Sequence, residues 1–158
     1  MRKTKVCILG SSGYIGSHLV LNLKQSYKII AHSRKKISEK NFYKGVDKII
    51  TGDIRSNSTI SKILNSKPDV IVYTISLNHF KSEENLINSI GNNYEPFQYL
   101  VKNLVEKKIR TKLIYFSTMQ VYGRYYKKKL ITEQYPKNIQ NSYALTHSMS
   151  EGLLRAYE

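Results

Sequence analysis

The predicted fold is decided by residues 5–34, KVCILGSSGYIGSHLVLNLKQSYKIIAHSR. An apolar, β-branched run leads directly into a glycine-rich turn, and a segment with helical periodicity and a second apolar run follow it. This order predicts one β-α-β unit with glycines at its first turn. Strands and helices continue to alternate further along the chain, so we expect an α/β fold with a doubly wound parallel sheet.

Three glycines at the first turn have the spacing GxxGxxG, and each has a predicted task. Gly10 lets the chain turn sharply off the strand, Gly13 lets backbone approach a pyrophosphate, and Gly16 lets the helix pack closely on the strand. Phosphates would then lie at the helix N-terminus, where unbonded N–H groups and the helix dipole favour an anion. Glycine-rich turns also occur without a ligand, so the triplet alone leaves dinucleotide binding open.

Length and composition indicate a single domain over residues 1–158, with 41% hydrophobic residues to build its core. The one cysteine, Cys7, lies in the first strand pattern and is expected to be a buried apolar side chain. The first apolar run ends after four residues at the glycine turn, unlike a signal peptide, and no run reaches membrane-spanning length. We therefore expect a cytoplasmic protein without a membrane partner.

The formal net charge of +15 permits binding to a nucleic-acid backbone, which needs only basic groups. The lysines are scattered, however, with pairs at 35–36 and 107–108 and a run at 127–129, and no groove-reading motif is present. An AT-rich genome would explain the lysine content without any function. We expect no nucleic-acid partner, although the charge would help to attract an anionic substrate.

Apolar runs and helical periodicity together predict five strands and four or five helices. After the first unit, the predicted elements are a strand at 48–51, a helix from Ser58 as N-cap to about Asn65, a strand at 70–74, a long helical stretch at 82–108, a strand at 113–116 and a helix at 142–157. Pro96 must either kink the long helical stretch or lie in its first turn.

Besides the glycine turn, two later segments carry a specific family resemblance. They are FSTMQVYG at 116–123 and NSYALTH at 141–147. Together the three resemble the extended branch of the short-chain dehydrogenase/reductase family, the NAD(P)-dependent nucleotide-sugar epimerases and dehydratases. The resemblance covers nearly all of residues 5–157. It implies a Rossmann-type fold and an oxidoreductase that acts on a nucleotide sugar by hydride transfer.

The resemblance also implies the catalytic residues. Thr118 corresponds to the family hydroxyl that hydrogen-bonds the substrate oxygen. Tyr143 corresponds to the acid/base that moves a proton while hydride passes between C4 of the nicotinamide and a sugar carbon. His147 stands where the family usually has the lysine that binds the nicotinamide ribose and lowers the tyrosine pKa.

The departure at His147 leaves three interpretations open. A histidine four residues after Tyr143 lies on the same helical face and can still reach a ribose hydroxyl. Its ordinary pKa of about 6.5 makes it an unreliable source of positive charge at neutral pH. The chain is therefore a working variant with weaker activation of the tyrosine, a dinucleotide binder without turnover, or the product of a decayed gene.

The second strand ends without a carboxylate to accept hydrogen bonds from the adenosine ribose. Ser33 takes the usual acidic place and Arg34 follows it, which favours NADP(H), with NAD(H) as the alternative. A basic, solvent-exposed loop in a lysine-rich chain is the interpretation without function. The full set of cofactor residues implied by the resemblance is Gly10, Ser12, Gly13, Tyr14, Ile15, Gly16, Ser33, Arg34, Asp53, Ile54, Thr74, Ile75, Tyr143 and His147.

Within that set, Asp53 resembles the residue that accepts from the adenine amine, and Ile54 the residue that covers the ring. Thr74 and Ile75 occupy positions that line the ribose and nicotinamide. Asn93 aligns with a frequent family asparagine on the next helix.

Family members continue beyond the tyrosine helix into a C-terminal substrate domain. Since this sequence ends within that helix, we expect an incomplete Rossmann domain, truncated before the substrate domain. The resemblance implies homodimerisation through the stretches at 93–108 and 142–157. It does not separate epimerase, dehydratase and reductase, although Met119 and Gln120 after Thr118 disfavour one type of dehydratase. A non-catalytic dinucleotide-binding sensor or scaffold remains the alternative function, and a nucleic-acid-binding protein, supported by charge alone, comes third.

Overall fold

The computed structural model describes residues 2–36, 43–124 and 130–157, so the lysine run at 127–129 lies outside it. The strands are β1 (Lys5–Leu9), β2 (Lys28–Ser33), β3 (Lys48–Thr51), β4 (Val70–Tyr73) and β5 (Lys112–Tyr115). The α-helices are α1 (Tyr14–Leu23), α2 (Asn57–Asn65), α3 (His79–Glu83), α4 (Leu86–Ser89), α5 (Glu95–Glu106) and α6 (Ser142–Arg155). A π-helical segment covers Ile90–Tyr94 and a 3₁₀ turn covers Met119–Tyr122.

The five strands form one parallel sheet in the order β3-β2-β1-β4-β5. In the centre of the sheet, Val6 of β1 pairs with Ile29 of β2 and with Val70 of β4. The chain therefore winds outward from β1 in both directions, which confirms the predicted doubly wound α/β fold. Ligands of such sheets bind at the carboxyl ends of the strands, where the direction of winding reverses, which here is between β1 and β4.

The central strand is buried because its apolar side chains pack on both faces of the sheet. Val6, Ile8 and Val20 belong to one core cluster, in which α1 covers the sheet. Cys7 of the same strand is fully buried, and this burial raises the pKa of its thiol to about 12. The sulfur therefore behaves as a packed apolar group, as the sequence predicts.

Contacts divide the chain into two compact units. The first consists of Met1–Ile75 and Tyr99–Phe116 and contains the whole sheet with α1 and α2. The second consists of Ser76–Gln98 and Ser117–Glu158 and contains α3, α4, the π-helical segment and α6. None of the helices in the described ranges is both long and apolar enough to cross a membrane.

The predicted start of α2 is wrong by two residues. Ser56, and not Ser58, is the N-cap, because Ser56 has extended backbone and its Oγ accepts from Thr59 N at 3.2 Å. Most other predicted ends lie within two residues of the observed ones.

The long helix predicted over 82–108 is instead broken into several elements. Asn85 interrupts the first part by capping α4, where its side chain accepts from the N–H of Asn88 at 2.9 Å. Pro96 lies in the first turn of α5, one of the two predicted alternatives. Proline has no N–H to donate to the preceding turn and its ring crowds that turn, which gives a physical reason for the π-helical segment directly before α5.

Candidate functional site

Hydrogen bonds attach the glycine turn to the end of β2. Gly10 N and Ser11 N both donate to the carbonyl oxygen of His32, at 3.2 and 2.8 Å, and Ser11 Oγ donates to the same oxygen at 2.9 Å. Gly10 has φ +86°, which a residue with a side chain adopts only with strain. A Cβ on Gly16 would lie 2.3 Å from Gly10 O, so only glycine lets α1 start this close to the turn.

The N-terminus of α1 is suited to an anion. Its N-cap, Gly13, has no side chain to accept from the first N–H groups of the helix. Ser12, Gly13, Tyr14 and Ile15 are exposed, so a ligand can reach these groups. The residues present therefore fit a pyrophosphate.

The end of β2 carries the residues expected to choose the dinucleotide. Ser33 is buried and its Oγ donates to the carbonyl oxygen of Lys35 at 2.6 Å, whereas Arg34 is exposed. His32 is also buried, and its Nε2 lies 2.9 Å from Gly52 O. Burial lowers the pKa of His32, so this histidine contributes no positive charge at neutral pH.

Asp53 is already engaged by a neighbour. Its carboxylate accepts from Arg55 through Nε, NH2 and the backbone N, at 2.8–3.1 Å. The hydrogen bonds from Arg55 lower the pKa of Asp53, and the charge of Arg34 acts in the same direction. Ile54 is buried. To accept from an adenine amine, Asp53 would have to share its oxygens with Arg55.

Thr74 and Ile75 follow β4, beside the glycine turn. Thr74 Oγ1 donates to Leu9 O at 2.9 Å. A Cβ on Gly10 would lie 2.9 Å from Thr74 Oγ1. Both residues are half-buried. The cofactor residues predicted from Gly10 to Ile75 thus all belong to the first unit.

Tyr143 lies in the first turn of α6, in the second unit. Asn141 caps the helix by accepting from Ala144 N at 2.7 Å. Glu83 of α3 accepts from two further N–H groups, those of Ser142 at 3.3 Å and Tyr143 at 3.1 Å. A carboxylate at this end of the helix is stabilised by the helix dipole, so the start of the tyrosine helix is firmly held.

Thr118 precedes the 3₁₀ turn. Its Oγ1 accepts from Gln120 N at 3.2 Å. The Oε1 of Gln120 accepts from Nδ2 of Asn141 at 3.0 Å. These two hydrogen bonds connect the predicted hydroxyl residue to the start of the tyrosine helix.

His147 lies one turn after Tyr143, and the two rings are in contact with centroids 4.5 Å apart. Its side chain is 3% exposed, and this burial lowers its pKa to about 4, although the charge of Glu151 acts in the opposite direction. His147 is therefore neutral at pH 7. It does not supply the charge that the family lysine provides.

Burial of His147 also makes stability depend on pH. His147 takes up a proton near pH 6.5 in the unfolded chain and only near pH 4 in the folded chain. The stability that comes from burying the neutral imidazole is therefore complete above pH 6.5 and is lost as the pH falls from 6.5 to 4. We expect the free energy of unfolding to fall by about 2 kcal/mol between pH 7 and pH 5 from this residue alone. Urea unfolding of the wild type and His147→Asn at both pH values measures the difference. Equal losses in the two proteins would contradict the assignment.

Asn93 joins several elements of the second unit. It is fully buried; its Oδ1 accepts from Leu77 N at 2.6 Å, and its Nδ2 donates to Ser82 Oγ and Thr146 Oγ1, both at 3.1 Å. Thr146 Oγ1 in turn donates to Tyr143 O at 3.0 Å. Asn93, which was singled out from the sequence by its position alone, thus helps to hold the helix that carries Tyr143 through its hydrogen bond to Thr146.

A cavity of about 640 Å³ lies within the second unit. Its lining residues are His79, Glu83, Gln120, Gly123, Arg124, Gln140 and Asn141. None of these was predicted as a site residue. Asn141 could have been found as an N-cap before the helical run at 142. His79 precedes the stretch at 82–108 that was predicted as one long helix, and Glu83 lies at its start, so the short helix that carries both was not predicted.

Comparison with known proteins gives a match over nearly the whole chain. Residues 6–158 match the family described as the NAD dependent epimerase/dehydratase family. A UDP-glucose 4-epimerase of Lactobacillus helveticus is 28% identical over 153 residues, 95% of this chain and 46% of that protein. This chain thus spans about half the length of the curated relative.

Solved structures of two different enzymes share the fold of this chain. A UDP-glucose 4-epimerase from Bifidobacterium longum, in complex with NAD+ and UDP, superposes with a TM-score of 0.85 at 22% identity, over 97% of this chain and 48% of that one. An L-threonine dehydrogenase from Clostridium difficile gives 0.85 at 20% identity, over 99% of this chain and 50% of that one. At these identities the fold alone is shared, and the substrate is not determined.

Proposed function

Because the chain belongs to the NAD-dependent epimerase/dehydratase family, we propose that it forms the dinucleotide-binding and proton-transferring part of an oxidoreductase acting on a nucleotide sugar. The observation that carries the proposal is the glycine turn. Gly10 and Gly16 leave room that any Cβ would fill, and the exposed start of α1 offers N–H groups to a pyrophosphate.

Within this proposal, the bound dinucleotide supplies the acceptor and donor of hydride. Tyr143 exchanges a proton with the sugar hydroxyl at the carbon that is oxidised. Thr118 Oγ1 accepts from Gln120 N, so its own proton can be donated to the substrate oxygen. Capping by Asn141 and Glu83 holds the tyrosine in place before substrate arrives.

The polar cavity is the proposed place of the sugar. Gln120, Arg124, Gln140 and Asn141 line it and offer donors and acceptors for hydroxyl groups. The curated relative is a UDP-glucose 4-epimerase, so a UDP-hexose is the first substrate to test. Epimerisation, dehydration and reduction all begin with hydride transfer and share these residues.

Thermal unfolding with and without NAD+ or NADP+ tests the proposal. A dinucleotide at about a hundred times its dissociation constant should stabilise the folded chain by about 2.7 kcal/mol. A transition that neither dinucleotide moves would contradict the function proposed here.

Substitution Arg34→Glu tests the expected preference for NADP(H). An exposed guanidinium can pair with a 2′-phosphate, whereas a carboxylate repels it, so we expect NADP+ to bind about 10- to 100-fold more weakly. Titration of both dinucleotides by thermal shift gives the two affinities. Lys36→Glu makes the same charge change two residues away and serves as the control. If Arg34→Glu and Lys36→Glu weaken NADP+ equally, Arg34 does not read the 2′-phosphate.

The second candidate function is a dinucleotide-binding module without turnover. The neutral, buried His147 favours it, because the usual source of charge beside the tyrosine is missing. Formation of reduced nicotinamide when a UDP-hexose is mixed with the saturated protein distinguishes the candidates. Binding without any reduction would favour the module.

A further inference from the structure

A tyrosine outside the sequence motifs contacts the glycine turn. Tyr43 lies between β2 and β3, and its phenol donates to the carbonyl oxygen of Ser11 at 2.6 Å. The two residues are 32 positions apart in the sequence and belong to the same unit. Tyr43 is not among the residues that the family resemblance implies, so its contact with the turn needs a separate explanation.

Tyr43 contacts a peptide group that the other hydrogen bonds of the turn do not hold. Gly13 N donates to Gly10 O at 2.9 Å, which closes a β-turn. Ser11 and Ser12 are the two central residues of this turn. The bonds to His32 O hold the N–H groups of Gly10 and Ser11, which precede the central peptide. The Ser11–Ser12 peptide itself differs by a rotation of roughly 180° between type I and type II turns.

The orientation of this peptide decides the direction of the Ser12 N–H. In a trans peptide the C=O and N–H bonds point opposite ways, so a flip of the Ser11 carbonyl reverses the Ser12 N–H as well. A type II turn requires positive φ at its second central residue. Among the described residues other than glycine, only Lys67 and Lys108 have positive φ, so the turn is not of type II. Since the Ser11 carbonyl faces the phenol, the exposed Ser12 directs its N–H away from Tyr43.

The position of Tyr43 is itself fixed by packing. Its half-buried side chain packs against the core cluster that contains Val20 of α1. Its carbonyl oxygen accepts from Val46 N at 3.1 Å, and Val46 packs on the same cluster. Asp47 follows and accepts from Ile29 N of β2 at 2.8 Å. A phenol held in this way loses little further rotamer freedom when it donates, so its hydrogen bond favours one orientation of the Ser11 carbonyl.

We propose that Tyr43 is a positioning residue of the dinucleotide site, which holds the central peptide of the glycine turn with the Ser12 N–H available to the dinucleotide phosphates. Tyr43 acts through Ser11. When its hydrogen bond is lost, a flipped peptide becomes populated and presents the Ser11 carbonyl where the N–H was, and a carbonyl oxygen repels an anion that an N–H binds. The apparent affinity then falls with the fraction of the chain in the binding orientation. This role rests on the proposed function.

Tyr43→Phe tests the role, because it removes the donor and keeps the ring that packs on the core. From the usual contribution of one hydrogen bond, NAD+ and NADP+ should both bind about 3- to 10-fold more weakly. Tyr27→Phe removes the same oxygen from an exposed tyrosine of the same unit and should bind as the wild type does. Calorimetric titration at a temperature where each variant is fully folded gives the dissociation constants, so a loss of stability alone does not change them.

Two further measurements report the peptide itself. In ¹³C,¹⁵N-labelled protein without ligand, the carbonyl carbon resonance of Ser11 should shift in Tyr43→Phe and stay in place in Tyr27→Phe. Ser12→Gly removes the steric cost of positive φ at this position. Tyr43→Phe should therefore weaken binding more in the Ser12→Gly background than in the wild type, a coupling that a purely structural role of Tyr43 would not produce.

Equal affinities of Tyr43→Phe and Tyr27→Phe, an unshifted Ser11 carbonyl, or the same loss in both backgrounds would each overturn the role of Tyr43. The proposed function survives these results, because the wild type still binds its dinucleotide. A wild type that binds neither NAD+ nor NADP+ would overturn both proposals. If Tyr43→Phe does not fold, Tyr43→Met, which is apolar and has no donor, is compared with Tyr27→Met.

Discussion

Under the proposed function, replacement of Tyr143 by phenylalanine is expected to lower kcat by about 10²- to 10⁴-fold, the usual contribution of a positioned acid/base. The substitution removes one oxygen and leaves the ring in contact with His79 and His147. The hydrogen bonds that Glu83 accepts are donated by the backbone N–H groups of Ser142 and Tyr143 and are retained. The loss should therefore fall on chemistry, with little change in the stability of the folded chain.

Two measurements separate these effects. Turnover of a UDP-hexose gives kcat, and thermal shift gives the dissociation constant of the dinucleotide. Tyr157→Phe removes the same oxygen from an exposed tyrosine after the same helix and is the control. A Tyr143→Phe protein that keeps kcat within about twofold of the control would remove Tyr143 from the mechanism.

Replacement of Gly16 by alanine is expected to have a large effect on the proposed dinucleotide site. The added Cβ would lie 2.3 Å from Gly10 O and 2.8 Å from both Gly10 C and Ser11 Cα. All three atoms are backbone, so α1 must move away from the turn. Overpacking of this kind costs about 1–3 kcal/mol of unfolding free energy, and displacement of the helix N-terminus should also weaken dinucleotide binding.

Gly152→Ala is the matched control. A Cβ at this exposed position of α6 meets no heavy atom within 4 Å among the described residues. Alanine is the better helix former, so this variant should gain about 0.5–1 kcal/mol. Urea unfolding compares the two variants with the wild type. If Gly16→Ala is as stable as Gly152→Ala, the close packing of α1 on the turn is not required.

The sheet was predictable because its signals are local. Each strand is a short apolar run bounded by turn residues, and Gly10 and Gly16 mark a place where a strand must pass tightly into a helix. The break of the helix predicted at 82–108 into the end of α3, α4, the π-helical segment and α5 was not predicted. Helical periodicity persists through it, while capping by Asn85 and the missing N–H of Pro96 decide the path of the chain.

The candidate site was predictable only in part, for a related reason. Tyr143 and Thr118 lie in sequence motifs, so the resemblance indicates them. The support of Tyr143 by Glu83 and Asn93 depends on contacts between residues 50 to 60 positions apart. Such contacts leave no periodic pattern in the sequence. Burial of His147, which decides its charge, is likewise set by packing.

The burial of Cys7 gives this chain a built-in reporter of unfolding. The thiol is the only one in the sequence, and it lies on the central strand of the sheet. With its pKa raised to about 12, it has almost no thiolate while the strand is packed, and thiolate is the form that attacks disulfide reagents. At reagent concentrations where labelling is faster than reclosing, it should therefore proceed at the rate at which β1 is exposed, and the same single signal would rank every variant described above by the lifetime of its folded sheet.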